Sequence, residues 1–190
     1  EHVDISGGVN YKNLREDSSK LNRYIEALEI NAPQKEWSRE EQLTYWINAY
    51  NALTLQLVLK YYPINSIKDI GSSIQIPYFN TTWDIELFNY KGKQLSLNNI
   101  EHGIIREDFE EPRIHFAVNC ASYSCPQLLN RAYNGSTLND ELDKMTRKYI
   151  ANTLHNKMAK DKLSIAPEEV RVVDMQAARN YVENMSSRDS

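Results

Sequence analysis

The sequence feature that most constrains the fold is a strong helix start followed by a long apolar run. Ser38 and Glu41 have the spacing of a capping box, in which each side chain accepts a hydrogen bond from the backbone of the other residue. Pro63 disfavours helical geometry at the residue before it. The pattern predicts a helix over residues 39–62 that is buried on nearly every side. Its apolar residues first follow the helical period and then extend to the other faces: Leu43, Trp46, Ile47, Tyr50, Ala52, Leu53, Leu55, Leu57, Leu59 and Tyr61.

Shorter elements are predicted on both sides of this helix. Residues 1–17 are expected to form an extended lead-in, after which Asp17 or Ser18 caps a helix that ends before Pro33. Further along, apolar and polar residues alternate as in a half-buried strand, and a turn at residues 91–93 leads into a second strand over 94–97. Short helices are predicted after Ser96 or Asn98 and after Ser136 or Thr137, the second running to Ile150. The alternating apolar residues of the first strand are Trp83, Ile85 and Leu87.

A strand–loop–helix unit is predicted at residues 113–133. Ile114, Phe116 and Val118 alternate with His115, Ala117 and Asn119, and Pro126 suits the first turn of a helix. A short apolar stretch from Leu163 and a last helix over residues 177–185 complete the chain. The expected fold is therefore α+β: a mainly helical single domain over residues 1–190 with a small antiparallel sheet.

Length and charge exclude several classes of protein. A chain of 190 residues fits one domain, and a net charge of −4 without a basic stripe argues against a nucleic-acid partner. No apolar run approaches the roughly 18 residues of a membrane span. Because the chain begins at Glu1 rather than Met, we expect that a secretory signal has been removed and that the protein is exported to the periplasm or outside the cell. A cytoplasmic protein is the alternative.

Two cysteines, Cys120 and Cys125, are the first candidates for chemistry. At the N-cap of a helix that opens at Pro126, Cys125 would be stabilised as a thiolate by free backbone N–H groups and the helix dipole. Cys120 would be a second nucleophile or a resolving partner. The structural alternatives are buried thiols or a local disulfide, whose small ring would add little stability by entropy. Redox work by the pair is a third possibility, although the spacing exceeds that of the usual Cys-x-x-Cys motif.

Candidate bases and binding groups lie nearby in the sequence. His115 shares a face of the predicted strand with Asn119, and His102 follows Glu101, with Arg106 one helical turn later. A cysteine and an imidazole oriented by an amide or carboxylate form the general arrangement of thiol hydrolases and transferases. Either histidine is equally compatible with a structural role. A Cys₂His₂ metal set from both pairs matches no familiar zinc spacing, so no metal or other cofactor is predicted.

Two amides interrupt the long apolar helix. Asn48 and Asn51 are spaced so that they share one face, and buried amides must be hydrogen-bonded. The favoured interpretation is a structural clamp that ties a loop to the helix. The functional alternative is a polar wall of a binding pocket.

Three sequence words together resemble the domain of unknown function 547 family. They are Tyr45 to Thr54 (YWINAYNALT), Leu97 to His102 (LNNIEH) and Arg113 to Pro126, which contains RIHFAVNC and SCP. The likeness covers about residues 9–150, while residues 163–190 are less typical because the family's aromatic-rich ending is missing. The resemblance implies no particular reaction. The residues of this sequence that match the family's pattern are Asn48, Asn51, Glu101, His102, Arg113, His115, Asn119, Cys120, Cys125 and Pro126.

Two hypotheses of different classes follow. In the first, the protein is a cysteine-dependent hydrolase or transferase acting on an amide or a thiol-bearing small molecule or peptide. Cys125 or Cys120 is then the nucleophile, His102 or His115 the base, and Arg106 or Arg113 the anchor of a substrate carboxylate. Glu101 or Asn119 orients the base. In the second hypothesis, the domain is a non-catalytic binding or interaction module whose cysteines are paired or buried.

Overall fold

Helix α3, Arg39–Tyr61, lies at the centre of the hydrophobic core. In this computed structural model the described residues are 2–70, 81–121 and 125–151, with the backbone of strands at 156–159 and 162–165. Ser38 Oγ accepts from the Glu41 N–H at 3.1 Å, and the Ser38 N–H donates to Glu41 at 2.7 Å. Every residue from Leu43 to Thr54 is buried, so the prediction of a capped helix that is buried on nearly every side is confirmed.

Two helices precede α3. They are α1, Tyr11–Glu16, and α2, Ser19–Ile30, and the Tyr45 hydroxyl on α3 donates to the Leu28 carbonyl of α2 at 2.8 Å. The helix predicted after Ser18 is confirmed. The prediction of an extended lead-in through residue 17 is wrong, because the Asn10 side chain caps α1 and Leu14 is buried.

A β-hairpin follows a 3₁₀ turn at Thr82–Asp84. Strands β1, Glu86–Tyr90, and β2, Lys93–Ser96, pair antiparallel around Lys91 and Gly92, both of which have positive φ. The predicted hairpin is confirmed, but β1 starts later than the alternation suggested because residues 82–84 form the 3₁₀ turn. A second antiparallel pair, β3 (Asn156–Ala159) and β4 (Lys162–Ile165), lies near residue 163, where only an apolar stretch was predicted.

The chain leaves β2 through three helical segments without interruption. Helix α4, Leu97–Ile100, is capped by Ser96, a π-helical turn spans Glu101–Ile105, and α5, Arg106–Asp108, completes the segment. Helix α6, Leu138–Ile150, follows a 3₁₀ turn at Gly135–Thr137. Both predicted helices are thus present, and the π-helical turn is the feature that their sequence did not reveal.

The predicted strand–loop–helix unit at residues 113–133 is wrong in both regular parts. Pro112–Phe116 forms a 3₁₀ helix instead of a strand, because the Glu111 side chain accepts from the Arg113 N–H and starts a helical turn at Pro112. No helix begins at Pro126 within the described residues 125–134. Backbone groups on both sides of the cysteines bond instead to asparagine side chains, which replace the hydrogen bonds of a strand or helix.

One hydrophobic cluster unites the described elements from Ile25 in α2 to Tyr149 in α6. The expected mainly helical α+β class is confirmed, while the extent of the domain over residues 1–190 stays a prediction. The helix predicted over 177–185 lies outside the described residues. In the part of the chain that is described, no helix has both the length and the apolar character needed to cross a membrane.

Candidate functional site

The π-helical turn brings Glu101 and Arg106 together. In a π turn each backbone N–H bonds to the carbonyl five residues earlier, and here Arg106 bonds in this way to Glu101. The side chains then meet, with Arg106 Nε and Nη2 donating to the same Glu101 oxygen at 3.2 and 2.7 Å. Arg106 is therefore held by Glu101, whereas the sequence had suggested His102 as its neighbour. His102 is exposed. Single π turns inside helices occur often at functional sites.

Tyr50 of α3 adjoins this ion pair from the core side. Its side chain is 1% exposed. Burial raises the pKa of Tyr50 well above its ordinary value, and the charge of Glu101 and a hydrogen bond to that carboxylate raise it further. A side-chain hydrogen bond with Trp83 acts in the opposite direction. The Tyr50 hydroxyl thus stays protonated and is suited to donate to Glu101.

His115 completes a set of four side chains that we call the polar cluster: Tyr50, Glu101, Arg106 and His115. The His115 ring packs edge-on against Phe116 and Tyr149, with centroids 5.2 and 6.1 Å apart. Its Nε2 atom is buried, and no described residue forms a hydrogen bond with it. Burial lowers the pKa of His115, the nearby Arg106 charge lowers it further, and the Glu101 charge opposes both. His115 is therefore a neutral imidazole near neutral pH.

Acidification should destabilise the protein through His115. Because its folded-state pKa is below the ordinary value of 6.5, its contribution to stability is complete above pH 6.5 and is lost as the pH falls through the lowered pKa. We expect His115→Gln to reduce the loss of stability on acidification, measured by denaturant unfolding at a series of pH values. His102→Gln, at an exposed position, should leave the wild-type pH dependence intact. An unchanged profile in His115→Gln would contradict the assignment.

Two asparagines of α3 fix the segments that precede and follow the cysteines. Asn51 accepts from the Asn119 N–H and donates to the Ala117 carbonyl, both at 2.9 Å. Asn48 accepts from the Tyr133 N–H at 2.8 Å and donates to the Tyr133 carbonyl at 3.0 Å. The structural clamp predicted for Asn48 and Asn51 is confirmed, and a ligand-binding role for these residues and Asn119 stays a prediction.

Arg113 lies in a different network from Arg106. Its guanidinium donates to Glu111, to Asp143 of α6 at 2.5 Å, and to the Asn139 side chain at 2.8 Å. The Arg113 side chain is only 11% exposed. These contacts tie the 3₁₀ helix that carries His115 to α6. A role for Arg113 as a substrate anchor stays a prediction, but its donors are already engaged.

The two cysteines form a disulfide bond, with their Cα atoms 6.2 Å apart. Neither sulfur is a thiolate in this oxidised form, and Cys125 does not cap a helix as the sequence had suggested. The local disulfide that the sequence left open as an alternative is therefore present. Within the described ranges, no group of three or more His, Cys, Asp or Glu side chains is arranged to hold a metal ion.

The structure brings together three of the predicted site residues, Glu101, Arg106 and His115. Sequence reasoning missed Tyr50 and Trp83 as their neighbours. Tyr50 fitted the apolar period of α3, so its hydroxyl gave no separate signal. The available hint was its position directly before Asn51, in the sequence word that also holds Asn48.

Comparison with known proteins assigns the family of the chain. A family model described as "Protein of unknown function, DUF547" matches residues 34–150, which include the whole polar cluster, the asparagine clamps and both cysteines. No curated protein and no solved structure gives a significant match. The matched region exceeds half of the chain, and it contains all three sequence words that suggested the resemblance. The chain therefore belongs to the DUF547 family of proteins of unknown function.

Proposed function

We propose that this domain is a binding module for a carboxylate-bearing small molecule or peptide, and that the polar cluster is the binding site. The observation that carries the proposal is the buried His115 Nε2 atom, which has no hydrogen-bond partner among the residues that the structure describes. The His115 ring is close enough to Arg106 for the guanidinium charge to lower its pKa, and two hydrogen bonds to Glu101 hold that guanidinium group in a fixed orientation. Buried polar atoms without a partner are uncommon in folded proteins, so such an atom beside an oriented cation suggests a position for a ligand.

The available donors favour a carboxylate as the ligand group. Arg106 uses Nε and Nη2 for Glu101, and its Nη1 makes no hydrogen bond to the described residues. A guanidinium group suits carboxylates because its N–H groups are planar and permanently charged. A neutral His115 that carries its proton on Nε2 supplies a second donor. An anion bound here would raise the pKa of His115 and would therefore couple binding to proton uptake.

The paired cysteines favour binding over thiol catalysis. A cysteine-dependent hydrolase or transferase requires a thiolate, and in the oxidised protein both sulfurs are committed to the disulfide. The polar cluster does not depend on either sulfur. Disulfides persist in oxidising compartments, so this bond also supports our proposal that the protein functions outside the cytoplasm.

A pair of matched probes tests the proposal. N-acetylglycine carries a carboxylate, and N-acetylglycinamide has the same shape without the charge. We expect N-acetylglycine to shift the side-chain NMR signals of His115 and to raise its pKa, while the amide has little effect. Arg106→Gln should weaken N-acetylglycine binding at least about tenfold, because hydrogen bonds to charged groups are the stronger ones.

Two control variants make the result specific. Arg23→Gln removes an exposed positive charge on α2 and should leave binding unchanged. A double Cys120→Ser and Cys125→Ser variant should retain binding, since the proposed site uses neither sulfur. Equal binding of both probes, or an Arg106→Gln variant that binds like the wild type, would overturn the proposal.

A further inference from the structure

The backbone at both ends of the disulfide loop is held by a single side chain, that of Asn119. Its Nδ2 donates to the carbonyl of Pro126, directly after Cys125, at 2.6 Å. Its Oδ1 accepts from the N–H of Ala121, directly after Cys120, at 2.8 Å. One amide thus connects the two chain segments that carry the sulfurs, and it does so without involving the sulfurs.

Asn119 is itself anchored to the core. Its N–H donates to Asn51, which also binds the Ala117 carbonyl, and Asn51 lies on the buried face of α3. Ala121 has a φ of 59°, a left-handed conformation that a non-glycine residue adopts at a small energetic penalty. The Asn119 hydrogen bond to the Ala121 N–H opposes relaxation of this turn. The positions of the two cysteine backbones are therefore specified by contacts that do not involve the sulfur atoms.

We propose that Cys120 and Cys125 form a reversible dithiol site, in which Asn119 keeps the two cysteines adjacent after reduction so that the reduced loop binds a soft, thiophilic ligand between both sulfurs. Cα atoms 6.2 Å apart allow one atom to bridge the two side chains. Thiolates select soft metals and metalloids. A preorganised pair binds such a ligand more tightly because little chain entropy is lost when the second sulfur attaches. This inference concerns a different site from the polar cluster and does not rest on the proposed carboxylate function.

Each chemical step has a defined balance. A water-soluble phosphine reduces the disulfide, its phosphorus supplies two electrons and takes an oxygen atom from water, and both sulfurs gain a proton. Phenylarsine oxide then condenses with the two thiols. Two arsenic–sulfur bonds form, the arsenic–oxygen bond breaks, and one water molecule leaves while arsenic keeps its oxidation state.

Phenylarsine oxide titration of the reduced, full-length protein tests the inference. We expect one arsenical per chain and protection of both thiols from alkylation by iodoacetamide, measured by intact mass. Asn119→Ala should bind the arsenical about tenfold more weakly, because two hydrogen bonds that position the thiols are lost. Cys125→Ser should bind more weakly still, since a single thiol cannot chelate. Asn134→Ala, at an exposed asparagine that caps a local turn, is the matched control and should bind like the wild type.

A measurement on the wild type keeps the test decisive if Asn119→Ala does not fold. In concentrated guanidinium the same two thiols are present but the protein is unfolded, so the affinity for phenylarsine oxide is measured without the contacts that Asn119 makes. We expect it to fall at least about tenfold below that of the folded protein. Equal affinity in the folded and denatured states, Asn119→Ala binding equal to wild type, or tight binding by Cys125→Ser would each overturn the proposal.

Discussion

Replacement of Asn51 by leucine should lower the free energy of unfolding by about 3 kcal/mol, because a buried carbonyl and a partly buried N–H of the backbone lose their partner. Asn51 is 8% exposed, and its amide satisfies the Ala117 carbonyl and the Asn119 N–H at the same time. Leucine preserves the size of the side chain and the helical propensity of α3 but can neither donate nor accept. Denaturant unfolding measures the loss, and hydrogen exchange should show faster exchange of the Asn119 N–H in particular.

Gln56→Leu is the matched control for this prediction. It makes the same change from amide to leucine on the same helix, but Gln56 is only half-buried and makes a single long hydrogen bond of 3.4 Å to Asn22. Its stability should stay within about 0.5 kcal/mol of the wild type. Should Asn51→Leu prove as stable as Gln56→Leu, the clamp would contribute nothing to folding, and a ligand-facing role for Asn51 would become the better explanation.

Local patterns in the sequence were sufficient to predict the elements whose stabilising contacts lie between residues close in sequence. The capping box at Ser38, the hairpin turn at Lys91 and Gly92, and the α6 helix all depend on contacts within a few positions. The segment 113–133 differs because part of its backbone bonds to the side chains of Asn48 and Asn51, which lie 66 to 85 positions away in the sequence. The alternation of Ile114, Phe116 and Val118 predicts a strand. Instead, the Glu111 side chain starts a 3₁₀ helix at Pro112, and Asn51 binds the backbone that follows this helix.

Three of the four members of the polar cluster were predicted from the sequence, but their geometry was not. Glu101 and His115 stand in two of the sequence words that resemble the family, and Arg106 was a candidate because it lies one helical turn after His102. Their arrangement depends on the π turn, whose extra residue rotates Arg106 towards Glu101. A turn of this kind reflects tertiary packing more than sequence preference, so helical spacing alone directed attention to His102. Tyr50 was not predicted as a site residue, because a buried tyrosine fits an apolar helical pattern as well as a leucine does.

A comparison of Arg113 with Arg106 distinguishes a structural arginine from a ligand-binding one. Both Arg106 and Arg113 were predicted anchors for a substrate carboxylate, yet their surroundings differ. Arg113 is 11% exposed at its side chain and bridges Glu111 to Asp143 of α6. The Arg106 side chain is 32% exposed, and its one acidic partner in the described part of the chain is Glu101. The structure therefore predicts that replacing Arg113 mainly lowers stability, whereas replacing Arg106 mainly weakens ligand binding.

Arg113→Met should lower the free energy of unfolding by about 2 kcal/mol and should weaken N-acetylglycine binding far less than Arg106→Gln does. Methionine fills a similar volume, so the loss comes from removing the guanidinium group that pairs with both Glu111 and Asp143. Because both carboxylates are partly solvated, the penalty stays below that of a fully buried pair. Denaturant unfolding and probe titration of the folded variant measure the two effects, with Arg23→Met as an exposed control. A stable Arg113→Met variant that no longer binds N-acetylglycine would instead identify Arg113 as the anchor and would move the binding site from the π turn to the junction of the 3₁₀ helix with α6.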